Sequence, residues 1–246
     1  MEAQGAQLAR TERVVLLACA GAVTLAAWIW LAGASLSLLP AHQHHAWSGR
    51  AFLSLVAMWQ AMMIAMMTPA ALDWLLTFAA LNARNAGTQT GLRSSGAFAG
   101  GYFAIWLGYS GLAALLQMAL AHAGLLTGGR LPGRAGGAVL IAAGLLYFTP
   151  LQHACLSHCR NPLTYFLTRW RGGPASGFRF GIVHGAYCVG CCWILMLTGF
   201  AAGVMNVLWM AILTLLICAE KLAPHGDRIG AAAAIAMTVA GGALLR

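Results

Sequence analysis

Acidic residues are nearly missing from this chain: Asp and Glu together number 5 among 246 residues, and all charged residues amount to 8%. An ordinary soluble domain carries about a quarter charged residues, so this composition excludes one. The signatures of nucleotide, haem and hydrolytic chemistry are missing too. There is no phosphate-cradling glycine loop, no Walker sequence, no serine-nucleophile elbow, no HExxH and no CxxCH. No internal repeat stands out, and no tract is of low complexity apart from the Ala/Gly-rich end. The net charge of +9 is spread among connections and makes no nucleic-acid footprint.

What the chain has in abundance is apolar sequence, at 61%. Crossing a hydrocarbon core of about 30 Å takes about 20 residues of helix. Candidate spans are 14–39, 52–72, 96–121, 137–154, 178–199, 203–219 and 229–245. The fourth, sixth and seventh are short, so the expected fold is an all-α polytopic bundle with six or seven spans. After a polar leader at 1–13, residues 14–246 read as one integral membrane domain. The first apolar stretch is longer than the about 7–15 residues of a cleaved export signal, so it is expected to stay as an anchor. With the N-terminus in the cytoplasm, Arg10, Arg13, Arg84, Arg93, Arg160, Arg169, Arg171, Arg179, Lys221 and Arg228 fall inside. Only Arg50, Arg130, Arg134 and Arg246 fall outside. The positive-inside rule favours that orientation, in a bacterial inner membrane.

Seven cysteines do not make a secreted disulfide framework. Cys19 and Cys218 sit in apolar spans and read as small buried hydrophobes. The other five cluster with histidines at the inner side, which is reducing. His184, Cys188, Cys191 and Cys192 stand at i, i+4, i+7 and i+8, one face of a helix. A polar, metal-binding face in lipid is costly unless it points inward at something that uses it. The adjacent Cys191 and Cys192 should point roughly 100° apart and not share an ion. Gly177, Gly181 and Gly185 form a small-residue repeat on the adjoining face, which lets another helix come close. A second group, His153, Cys155, His158 and Cys159, follows the fourth span. Cys155 and Cys159 face the same way if the helix continues, and two thiolates suit one soft ion.

Softer ligands lie in the second span. Met58, Met62 and Met66 make one stripe and Met63 and Met67 its neighbour, then Pro69 frees a carbonyl. Thioethers suit Cu(I), although methionine stripes also pack well. Weaker candidates are Asp73 and Glu220 at inner span ends, and His42, His44 and His45 in the first external loop, where imidazoles could collect metal. The stretch from Leu163 to Trp170 reads as an amphipathic segment at the inner interface.

Taken together, Met58-Trp59, the Met62–Met67 run with Pro69, Cys155, Cys159-Arg160 with Pro162, Trp170, the HGAYCVGCCWILM segment and Glu220-Lys221 resemble a bacterial family. Its members are described as predicted metal-binding integral membrane proteins. The resemblance covers about residues 55–222 and implies metal binding at these Cys and His positions, with no reaction named. The favoured ion is Cu(I), with zinc as its rival, handled for transport, storage or delivery. Lipid, the ion, and a metallochaperone or target metalloenzyme are the partners that fit. Two enzyme readings compete: a membrane thiol–disulfide oxidoreductase using these cysteines, and a membrane-embedded metalloenzyme drawing on Asp73, His184 and Glu220.

Overall fold

The computed structural model describes residues 2–37, 48–86, 88–170 and 173–246, and these are helical with short connections. In chain order the helices are α1 (Glu2–Ser37), α2 (Gly49–Ala86), α3 (Thr88–His122), α4 (Gly133–Tyr147) and α5 (Pro150–Arg160). They continue with α6 (Pro162–Arg169), α7 (Pro174–Leu197), α8 (Gly199–Ala202), α9 (Val207–Leu222) and α10 (Gly226–Leu245). The fold is an all-α bundle. Five helices are long and apolar enough to cross a membrane, or six if the bent pair α4–α5 makes one span. Large side chains such as Ile29, Leu112, Leu208 and Val239 are exposed around the bundle, as expected for a multi-pass membrane protein.

Three expectations about the spans need correction. The fourth candidate, 137–154, is not one helix: α4 and α5 meet at 67°. The break has a local cause, since Thr149 caps α5 and Pro150 occupies its first turn, where a missing N–H is harmless. The sixth candidate becomes α9, 16 residues long, because its first residues form the turn at Gly203, whose φ of 106° suits glycine alone. The seventh, despite its Ala/Gly content, is a full 20-residue helix. The connections at 82–95 and 155–177 are largely helical as well, the latter holding α5 and the expected amphipathic α6.

Glycine determines which helices meet most closely. A Cβ on Gly181 would overlap the Phe98 carbonyl of α3, and one on Gly101 of α3 would overlap the Phe178 carbonyl of α7. Gly177 likewise faces the Ser94 carbonyl, and Gly185 would place a Cβ 3.0 Å from that of Tyr102. The small-residue repeat of α7 therefore finds its partner in α3, and the close approach sets Tyr102 beside Cys188. Gly181→Val is expected to force these helices apart, destabilising the chain by roughly 2 kcal/mol or more. Gly100→Ala, next to the seam and facing open space, should be neutral or slightly stabilising. Thermal unfolding in detergent separates the two.

Pro69 sits inside α2 without ending it. Its ring removes the hydrogen bond normally made to the Ala65 carbonyl, and that oxygen accepts instead from Trp28 Nε1 of α1 at 3.2 Å. A neighbouring helix thus repairs the defect. The main core joins Met58, Met62, Met63, Met66 and Met67 of α2 to Cys155, Cys159, Cys188, Cys191 and Cys192 in one contiguous apolar cluster. Cys19, expected inside, is exposed on α1, and Cys218 is half-buried.

Candidate metal centre

Helix α7 carries the centre. The sulfurs of Cys188, Cys191 and Cys192 lie within 4.8 Å of one another, and all three residues are buried. Cys191 and Cys192 do not diverge as the helical wheel suggests, since their sulfurs are 3.3 Å apart. The reason is one rotatable bond. Cys191 Sγ leans back over the preceding turn to within 3.2 Å of the Cys188 carbonyl oxygen, which cancels the angular offset between adjacent residues.

A fourth thiol comes from α5. Because α5 is bent away from α4, it packs against α7, and Cys159 Sγ sits 3.8 Å from Cys191 Sγ. The backbone there is held by two long-range bonds: Trp74 Nε1 donates to the Cys159 carbonyl at 2.7 Å, and Gln152 Nε2 donates to the Cys191 carbonyl. Cys155 is buried one turn earlier and points elsewhere, against Gly190, where a Cβ would lie 2.7 Å from its sulfur. Cys159 thus meets the thiols of α7, while Cys155 packs on Gly190 of the same helix.

Two further side chains reach Cys188. Tyr102 Oη is 3.1 Å from its sulfur, and Lys221 Nζ donates to it at 3.0 Å. Lys221 is the only lysine in the chain and is buried at the end of α9. A buried ammonium needs a charged or strongly polar partner, and the partner here is a thiol that can carry negative charge. The sequence points to Glu220 as a weaker candidate at an inner span end and assigns Lys221 no role of its own. Its signal was the isolation of the lysine, in a chain that otherwise uses arginine.

The histidines behave differently from the thiols. His184 is fully buried on the same side of α7, yet its ring belongs to a stack and not to the sulfur group. Its neighbours are Trp74 at 4.2 Å and Tyr102 at 5.2 Å, both nearly parallel. The stack continues from Trp74 to His158 at 5.1 Å and to Tyr187 at 3.7 Å. Neither nitrogen of His184, nor Nε2 of His158, has a hydrogen-bond partner among the described residues. The stack runs from the exposed Tyr187 inward to Tyr102, and so to Cys188.

The weaker candidates scatter. His153 is exposed and lines a cavity of about 650 Å³ with Arg160 and Asp227. Asp73 is exposed on α2. Glu220 is buried on a different side of α9 from the one facing the thiols, beside Gly230 and Tyr147, close to the Arg160–Asp227 ion pair. His42, His44 and His45 lie outside the described residues.

The group as a whole is a buried, sulfur-rich cluster with the Lys221 ammonium against one of its sulfurs. Thiolates select soft ions such as Cu(I), as well as zinc. A family model described as PpoB2, copper chaperone, matches residues 56–244, which takes in every helix that builds this pocket. Neither a curated protein nor a solved structure matches the chain.

Proposed function

The chain belongs to the PpoB2 copper-chaperone family, and from that premise we propose that it is an integral protein of a bacterial inner membrane that holds Cu(I) for delivery to a metalloenzyme. The observation that carries this reading is the convergence of Cys159, Cys188, Cys191 and Cys192 around Lys221 in a buried pocket. Copper is the cargo, held by two or three of these thiolates and released by exchange with the thiols or thioethers of a recipient. A two-thiolate Cu(I) complex carries one negative charge, and the Lys221 ammonium cancels it. That balance suits a site without water, where an uncompensated charge is strongly disfavoured.

The buried methionines of α2 share the apolar cluster with the thiols and give the ion weaker, neutral ligands for leaving the site. His184, four residues before Cys188 and without a hydrogen-bond partner among the described residues, is assigned the same transient role. The N-terminus is taken as cytoplasmic on the distribution of arginine, which puts the open side of α5 and α6 toward the cytosol.

The test is anaerobic reconstitution of the detergent-purified protein with Cu(I) and Zn(II) in competition, followed by elemental analysis and X-ray absorption. About one copper per chain, in a shell of sulfur alone, is expected for thiolate ligation of a soft ion. Zinc in place of copper would keep the site and discard the cargo. A folded protein that retains neither metal would overturn the reading. It would favour the thiol–disulfide alternative, for which the proximity of Cys159 and Cys191 is the best support.

A further inference from the structure

Between α5–α6 and the first half of α7 lies an open groove of about 1,410 Å³, larger than the about 300–1,000 Å³ of a common small-molecule pocket. It has room for a short peptide and not for a folded domain. Arg169 of α6 and Arg179 of α7 both line it, together with Thr164, Tyr165, Tyr187 and His158. Neither arginine has a carboxylate partner among the described residues. The acidic residues described are occupied elsewhere: Glu12 and Glu220 are buried, Asp227 pairs with Arg160, and Asp73 does not line the groove. Arg169 rests over the Tyr165 ring at 5.7 Å, and two guanidiniums lining one cavity without a carboxylate make a receptor for an anion with more than one carboxylate or phosphate group.

The wall of this groove leads to the thiols. Among the described residues lining it, His158 is the one with a side chain suited to a soft or borderline metal, and its Nε2, buried behind the wall, has no hydrogen-bond partner. The next residue in the chain is Cys159, whose sulfur is 3.8 Å from Cys191. Resting on the function proposed above, we propose that the groove receives the copper donor, an anionic low-molecular-mass thiol carrying Cu(I). Arg169 and Arg179 hold its carboxylates, and His158 takes the ion first. The transfer is ligand exchange without redox change. A copper–sulfur bond to the donor breaks as a bond to His158 and then to Cys159 forms, and the departing thiolate takes up the proton that the protein thiol gives up.

The experiment measures the rate of Cu(I) transfer into the full-length, detergent-purified chain from two donors. One is the Cu(I) complex of glutathione, an acidic thiol tripeptide; the other is the Cu(I) complex of the uncharged thiol 2-mercaptoethanol. Arg169→Gln with Arg179→Gln should slow transfer from the glutathione complex by roughly tenfold, the lower end of electrostatic steering. Transfer from the uncharged donor, and the final copper content, should not change. His158→Phe, which preserves a ring in the stack, should slow both donors and also leave the final content unchanged. Equal rates for the arginine variant and the native chain with both donors would overturn the proposal. So would anionic phospholipid that copurifies with the native chain and is lost from the variant, if transfer rates are alike, because the groove would then belong to lipid. If the native chain takes copper from neither donor, the functional reading itself fails. If it takes copper indifferently to charge, only the groove assignment fails.

Discussion

Serine at Cys188, Cys191 and Cys192 together is expected to strip the protein of copper while leaving the bundle assembled. Structural thiolate sites bind metal with about 10–16 kcal/mol shared among four ligands. That is roughly 3 kcal/mol per ligand, or about two decades of affinity. Losing three of the four thiols should therefore leave no copper that survives gel filtration with a competing chelator. The single variants rank by position in the cluster. Cys191 touches both Cys192 and Cys159, so Cys191→Ser should weaken retention by about 100-fold. Cys155→Ser, whose sulfur packs on Gly190 outside the group, should lower affinity by less than about tenfold. Copper content after chelator competition, beside helicity by circular dichroism, measures the series. Equal losses for Cys155→Ser and Cys191→Ser would show that the four-thiol grouping is not the site.

Much of this arrangement was legible because a helix translates spacing into geometry. His184, Cys188, Cys191 and Cys192 fall on one face by periodicity alone, and Gly177, Gly181 and Gly185 announce a close helix neighbour by lacking side chains. Periodicity stops at Cβ, however. Whether Cys191 and Cys192 converge depends on rotation about a single bond, which no helical wheel contains, and the structure brings their sulfurs together. Cys159 is a candidate by residue type and position, but its pairing with Cys191 follows from the bend before α5. The sequence signal for that bend, Thr149 followed by Pro150, was present; a hydropathy run that continued to residue 154 obscured it. His158 and His184 read as ligands of the thiol group by residue type, while packing places both in an aromatic stack with Trp74 between them. That contact joins helices far apart in sequence and leaves no local trace.

Lys221 was the largest omission, and its replacement is expected to have the second largest effect. At the end of an apolar run, a lysine beside a glutamate reads as an anchor in the headgroup region. Instead, Glu220 and Lys221 are both buried and point to different sides of α9, the lysine toward Cys188 at 3.0 Å. Lys221→Met keeps the volume and apolar stem and removes the charge. Without the ammonium the metal-free Cys188 can stay a neutral, protonated thiol, so no buried charge is left unpaired and the variant should fold. The copper complex would then lose its compensating cation. Partners that touch a ligand without binding the metal are worth about 10–100-fold in affinity, and loss of copper retention in that range is expected. Lys221→Arg should recover part of it, because charge is restored with a bulkier head. The sulfur shell seen by X-ray absorption should stay unchanged in both variants, since no ligand is removed. A purely structural lysine would give the opposite pattern: Lys221→Met would unfold or lose ligands, and arginine would rescue stability without restoring affinity. Normal copper retention by a folded Lys221→Met protein would show that the ammonium plays no part in holding the ion, and the charge balance proposed for this pocket would have to be sought in the thiols alone.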